Sequence, residues 1–151
     1  MVITKNFDEF TARYHKLPTF TRWDDMHKYI IKETNCKVFS GRGICYRKDK
    51  NTCILRSDDS TKYYDDNLSN IKQVEYTLCG KNGDQDIEYI DNKNLLKSDL
   101  EHIYLYRVIK YGKKKTWIWY GEYVIDNITT KQHIGDDSIT RKIIQLSLKR
   151  V

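Results

Sequence analysis

The chain has 151 residues, 39% of them hydrophobic, and a formal charge of +6 from 27 lysines and arginines against 21 aspartates and glutamates. That composition supports one domain with a real core and leaves little room for a second folding unit. The positive charge assists association with a polyanion at low salt without requiring it, and no apolar run reaches the ~18 residues of a membrane span.

The opening MVITKNFDEF is too polar for a secretory signal, so the expectation is a soluble, intracellular protein (cytoplasm or nucleus) with no membrane partner. Phe7, Phe10 and Tyr14 can share one helical face before the only proline, Pro18. In TRWDDMHKYIIKET, Thr21 to Thr34, the positions Trp23, Met26, Tyr29 or Ile30, and Glu33 recur at helical spacing. Thr21 with Asp24 three residues later reads as a capping box. Residues 1–35 are therefore expected to be a helical segment packed on a β-rich unit spanning 36–151, the whole forming one globular body.

Beyond residue 36 the pattern changes to short runs rich in β-branched and aromatic residues bounded by Gly, Asn or Asp. CKVFSGRGICYRK, TCILRS and KQVEYTL form one group. HIYLYRVIKYG, KTWIWYGEYVIDNITT and KIIQLSLKRV form another, with a lysine-rich hairpin turn at Gly112. Five or more strands with one or two helices predict an α+β domain on a barrel or strongly curved sheet. Trp117 and Trp119 alternate with Ile118 and Tyr120, so one face belongs to the core and the other lies under a helix or a binding surface. Cys36, Cys45, Cys53 and Cys79 contain no C-x-x-C pair, which predicts free, mostly buried thiols and no zinc site.

Three features carry candidate chemistry. In RSDDSTKYYDDNLSNIKQ, two large rings, Tyr63 and Tyr64, stand beside Asp65 and Asp66. Lining a slot, a ring can stack on a planar base while an aspartate accepts a hydrogen bond from an exocyclic amine; the structural alternative packs one tyrosine on the sheet and uses the aspartates in a turn. CGKNGDQ brings Lys81, Asn82, Gly83, Asp84 and Gln85 into a glycine-rich loop that lacks P-loop spacing and is suited to clamping a backbone or entering a groove. Basic residues, including Arg42, Arg47 and Lys113, Lys114 and Lys115, can neutralise phosphates if they converge on the slot; the three lysines can equally be a solubilising turn.

The four histidines, His15, His27, His102 and His133, form neither H-E-x-x-H nor the deaminase pattern. Asp58, Asp59, Asp84, Asp86 and Glu88 are raw material for a nuclease, but no spacing organises them. No catalytic residue, metal or cofactor is expected.

Taken in order, GICYRKDKNTCILRSDDSTKYYDD, VEYTLCGKNGDQ, NKNLLKS, YLYRVI, WYGEYVI and RKIIQLSLKR resemble the SRA (SET and RING associated, or YDG) domain, including relatives attached to modification-dependent endonucleases. The resemblance covers roughly residues 40–150. It implies a PUA-like curved sheet or open barrel with flanking helices, which binds modified duplex DNA and flips a modified cytosine into a pocket. On this resemblance Tyr76 is the ring on one side of the base and Thr77 the small residue beside the pyrimidine 5-position. Tyr63 with Asp66 supplies the opposite ring and the amine acceptor, with Tyr64 and Asp65 as alternatives.

Leu78 and Cys79 depart from the glycine-rich forms that follow the Tyr-Thr pair, the long base-replacing finger is not recognisable, and Tyr120 replaces the aspartate of YDG. Gly83, Asp84 and Gln85 also match a microbial group that reads phosphorothioate DNA without flipping. The expected function is non-enzymatic recognition of modified DNA, with a separate effector protein as a further partner and a monomer or homodimer as the assembly. A protein-interaction or inhibitor role on the same scaffold and binding of modified RNA are the competing readings.

Overall fold

The computed structural model describes residues 16–58, 65–80, 83–134 and 138–151. Phe7, Phe10 and Tyr14 lie outside them. In chain order the elements are β1 (Thr19–Phe20), α1 (Trp23–Thr34), β2 (Ile44–Arg47), a 3-10 turn (Lys48–Lys50), β3 (Thr52–Asp58), β4 (Gln73–Thr77), α2 (Ile90–Leu95), β5 (His102–Tyr111), β6 (Lys114–Ile134) and β7 (Thr140–Arg150).

The strands form one mixed sheet in the order β2-β3-β5-β6-β7-β4, with β1 paired onto β6. Only β3 and β5 run parallel, in a register that sets Ser57 beside Arg107 and Asp58 beside Val108. A parallel pair needs a crossover, and this one carries β4 and α2. β6 is long enough to serve two neighbours: it pairs with β5 from Lys114 to Tyr123 and with β7 from Tyr123 to Ile134. Register shifts at Leu105/Tyr106 and Ile125/Asn127 fall on either side of that exchange. Bulges of this kind bend and twist a sheet, and here they let β7 and β4 curl back over β2 and β3. The Tyr76 hydroxyl spans the remaining gap, donating to the carbonyls of Gly43 (3.1 Å) and Arg56 (3.4 Å). The result is an α+β fold with a partly closed half-barrel and flanking helices.

Strand alternation divides the core into two layers. Ile118 and Tyr120 point into the barrel with Cys53, Leu55, Leu105 and Leu146. Trp117 and Trp119 point outward with Ile54 and Tyr106, under α1. There Trp23 meets Trp117 at 6.2 Å and Tyr29 meets Trp119 edge-on at 6.0 Å. Both tryptophans are thus committed to the helix layer. Met26 and Ile30 are completely buried in it, each contributing about 1.5–3 kcal/mol by the usual transfer values.

The helix start differs from the expected capping box. Its N-cap is Arg22, extended at φ −128 and ψ 136, and no side chain caps it. Thr21 stands one residue too early, so Asp24 and Asp25 support the first turn through the helix dipole instead. Glu33 is exposed, because the buried stripe ends at Ile30. The helix stops at Asn35, whose left-handed φ of 57 closes the last turn.

The four cysteines are free thiols; Cys36, Cys45 and Cys53 are buried and Cys79 is partly so. Among the described residues no helix is long and apolar enough to cross a membrane.

Candidate nucleic-acid interface

A polar cluster forms where β3 and β4 end. Asp66 is half-buried, and both of its carboxylate oxygens are held: Ser57 Oγ donates to Oδ2 and the Thr77 backbone N–H to Oδ1, each at 2.6 Å. Thr77 Oγ1 accepts from the Asp65 N–H at 3.0 Å and from Gln145 Nε2 at 3.3 Å. Gln145 Nε2 also donates to the Asp65 carbonyl at 2.5 Å, and Lys131 Nζ is ion-paired with the Asp65 carboxylate. Three strands and the segment entering β4 therefore fix one acidic group in place.

Tyr76, next to Thr77, is 3% exposed. Its hydroxyl is anchored across the barrel at Gly43 and Arg56, so its ring is a fixed part of the barrel core. A Cβ at Gly43 would stand in ordinary van der Waals contact, 3.7 Å from Cys79 Sγ and 3.9 Å from the Tyr76 hydroxyl, which places Cys79 beside that anchor.

The glycine-rich loop after β4 spends its side chains inward. Gln85 is buried, donating to the carbonyls of Leu78 (2.6 Å) and Gly80 (3.2 Å) and accepting from the Ile144 N–H at 2.8 Å. Asp84 accepts from the Lys142 N–H at 2.7 Å. Arg141 donates to the carbonyls of Gly80 and Gly83. From α2, the fully buried Asn92 acts as a peptide mimic. It accepts from the Cys79 N–H (2.8 Å) and donates to the carbonyls of Cys79 (3.0 Å) and Asp86 (2.9 Å). Buried backbone groups need partners, and these side chains provide them in a loop without regular structure. Gly80 and Gly83 take φ of +131 and +66, in the left-handed range that glycine accepts without strain.

The cations are spread over both ends of the sheet. Arg56 and Lys110 both pair with Asp58, at 3.0 and 3.2 Å, at the end of β3 nearest Ser57. Lys113, Lys114 and Lys115 are exposed at the β5–β6 turn, where Gly112 has φ +62. β5 runs parallel to β3, so this turn lies beyond the same end of the strands as Asp58. Arg42 pairs with Asp91 at 3.1 Å and its side chain stays 50% exposed, near the Gly43 edge. Arg47 is different. It pairs with Thr52 at the opposite end of β3, five residues and about 17 Å of strand from Ser57.

Of the residues singled out in the sequence, Asp65, Asp66, Tyr76 and Thr77 come together. Gly83, Asp84 and Gln85 brace the adjoining loop, whereas Arg47 stands apart from the cluster. Tyr63, Tyr64, Lys81 and Asn82 lie outside the described residues. Ser57, Gln145, Lys131 and Asn92 were not singled out. Gln145 carried the clearest signal, an amide inside the apolar run KIIQLSL, and Asn92 begins the block NKNLLKS.

Tyr120 and Gly121 of WYGEY serve the scaffold. The Tyr120 hydroxyl accepts from Arg107 Nη1 at 3.1 Å and donates to the Leu68 carbonyl at 3.2 Å. Gly121 has φ +106, and a Cβ there would stand 3.4 Å from the Arg150 guanidinium.

A half-barrel with a fixed carboxylate at the ends of two strands and lysines beyond them defines a scaffold of the PUA and SRA type. The chain belongs to the ScoMcrA-like SRA domain family, whose model matches residues 30–151. The match begins inside α1, earlier than the ordered motifs near residue 40. No curated protein matches the sequence.

Among solved structures, the modification-dependent TagI restriction endonuclease has a TM-score of 0.61 and 18% identity, over 89% of this chain and 49% of that one. KRYPTONITE, in complex with mCHG DNA and SAH, has a TM-score of 0.58 and 16% identity over 89% of this chain and 32% of that one. The sulfur-binding and SRA domains of ScoMcrA, complexed with phosphorothioated DNA, have a TM-score of 0.58 and 20% identity over 89% and 39%. At these identities the likeness is one of fold, and the chain spans less than half the length of each.

Proposed function

We propose that this chain is a non-enzymatic reader of modified duplex DNA that receives a modified cytosine, flipped out of the helix, at the Asp66 site. The observation that carries the reading is the Asp66 carboxylate, held half-buried by Ser57 and the Thr77 N–H beside the anchored ring of Tyr76. A fixed, half-exposed carboxylate is suited to accept from the exocyclic amine of a cytosine, and Tyr76, buried in this structure, would meet the face of the base only once the pocket opens around it. In this reading Thr77 lies beside the 5-position and Tyr63, with Tyr64 as the alternative, covers the opposite face. Extraction of the base costs a few kcal/mol, offset by stacking of about 1–3 kcal/mol per ring, amine recognition and phosphate contacts.

Lys113, Lys114, Lys115, Lys131, Lys142 and Arg42 are the cations we assign to the phosphate backbone. Arg47 is left out because strand register separates it from Ser57. Gln85 and Asp84 are engaged with the loop backbone and β7, which favours Asp66 over the GDQ triplet as the group that meets the mark. The chain acts where DNA is found, in cytoplasm or nucleus, and a separate effector would supply any cleavage.

Competitive fluorescence anisotropy at ~0.15 M salt tests the proposal. The competitors are matched duplexes carrying plain, 5-methyl, 5-hydroxymethyl or glucosylated cytosine or a phosphorothioate linkage, with single-stranded DNA and RNA beside them. One modified-cytosine duplex is expected to compete best, and Asp66→Ala to lose that preference more than total binding. Equal competition by all duplexes, preference for RNA, or equal loss on modified and plain DNA in Asp66→Ala would each overturn it.

A further inference from the structure

β6 presents a strand edge that β5 covers only in part. Their pairing ends at Ile103 with Tyr123, and β1 reaches only Trp117 and Ile118. From Val124 to Ile134, every described partner of β6 belongs to β7 on its other side. Where β5 begins, the segment leading into it and the first residues of this open edge enclose a groove of about 360 Å³. Its apolar lining comes from Leu96, Leu100, Ile103, Val124, Ile125 and Ile128. Val124 and Ile128 are 50% and 48% exposed, unusual for β-branched side chains beside a groove that nothing in the chain is described as filling.

The rim has the opposite sign to the protein. Glu101 and Glu122 line it, and Asp99 stands exposed in the segment leading into β5, whereas Asp126 accepts from Gln73 Nε2 on the β7 side at 3.2 Å. Lys97 also lines the groove, with its Nζ donating to the Tyr46 hydroxyl at 3.1 Å and lying 4.9 Å from the centre of that ring. Lys149 pairs with Val124 from β7, the covered side of β6. His102 meets Glu122 at 2.9 Å. A chain of net charge +6 thus carries an apolar groove bordered by Glu101 and Glu122, beside a strand edge that has no partner among the described residues.

We propose that this groove and edge form a docking site for an extended, basic segment of a partner protein. The segment adds to β6 as an antiparallel strand in line with β5. Unpaired backbone N–H and C=O groups select an extended chain, and a pocket beside the edge selects its alternate side chains. The occupant presents apolar residues to the groove and lysines or arginines to Glu101 and Glu122. The site lies at the beginning of β5, while the β5–β6 turn lies nine residue steps away, about 30 Å. The open edge runs on to Lys131, which pairs with Asp65, so a strand added along its whole length borders the Asp66 site; the inference itself does not rest on the DNA-reading proposal.

The test uses the full chain without DNA and three labelled ten-residue peptides, measured by anisotropy. The first alternates lysine with valine and isoleucine, the second has glutamate in place of lysine, and the third has proline at alternate positions. The lysine peptide is expected to bind at least about tenfold more tightly than either of the others, a difference of about 1.4 kcal/mol, although it has the same sign of charge as the protein. Ile128→Ser and Ile128→Lys are both expected to weaken it by about tenfold or more. Equal affinity for all three peptides or no effect of either Ile128 variant would overturn the proposal. So would a dimer in sedimentation that Ile128→Lys dissolves, which would assign the edge to a second copy of the chain.

Discussion

Two polar clusters sit within a few residues of each other at the end of β4 and have opposite characters. Around Asn92 and Gln85 every reported side-chain bond ends on backbone of the same loop or its neighbouring strand, and both residues are almost completely buried. Around Asp66 the donors converge on a carboxylate that keeps part of its surface. The first cluster replaces secondary structure in a loop that has none. The second also serves one backbone group, the Thr77 N–H, but does so with a charged acceptor that stays partly exposed. In the proposed function, the difference is that between a scaffold cluster and a reading cluster within one stretch of chain.

Substitutions can sharpen or break that separation. The largest effect on stability is expected from Asn92→Ala, which leaves the Cys79 N–H and two carbonyls buried without partners; chemical denaturation should show a loss of about 3 kcal/mol. Gln85→Ala should cost about 2 kcal/mol by the same reasoning. If either variant kept full stability but lost DNA discrimination, the loop would belong to the reader. Gly121→Ala, forcing a side chain into φ +106, should cost about 1–2 kcal/mol in thermal or denaturant melts.

Asp66→Asn should cost no more than about 1 kcal/mol, yet reduce modified-base preference by about tenfold or more in the anisotropy competition. A stability loss matching that of Asn92→Ala, with preference intact, would place Asp66 in the scaffold. Replacing Lys113, Lys114 and Lys115 with serine should leave stability within about 0.5 kcal/mol. It should weaken all duplexes alike and lower the slope of log affinity against log salt by up to about 3.

Alkaline pH separates the barrel interior from its rim. Burial pushes the Cys53 thiol up to about 12 and Cys79 up to about 11, from an ordinary 9.0. Between those values the folded chain holds protons that the unfolded chain has released. Their contribution is therefore complete below pH 9 and is lost as pH rises toward 11 and 12. Denaturation midpoints should fall across that window, and Cys79→Ala should flatten its lower part.

Much of the architecture was legible because period-2 and period-3.6 patterns are local. The helix at 23–34, the hairpin at Gly112 and the opposed faces of Trp117/Trp119 and Ile118/Tyr120 each follow from spacing alone. Thr21 and Asp24 were misleading because a capping box needs the chain to enter the helix at Thr21, and packing of Trp23 on the sheet sets the start at Arg22. The site was legible only in half. Asp66, Tyr76 and Thr77 stand out as residue types, but Gln85, Asp84 and Asn92 are equally polar, and nothing in the one-dimensional pattern tells an amide that faces DNA from one that braces a loop.

By itself, the sequence determined the element types, the α+β fold class, the four cysteines without metal spacing and the family motifs in order, since all depend on short-range pattern and composition. Tertiary structure decided which polar side chains were consumed by buried backbone, that Ser57 and Gln145 meet around Asp65 and Asp66, that Arg47 stands at the far end of β3, and that β6 keeps an open edge beside an acidic groove. These depend on the parallel register of β3 with β5 and on the bulges that curl β7 and β4 over them, which are pairings between residues far apart in the chain.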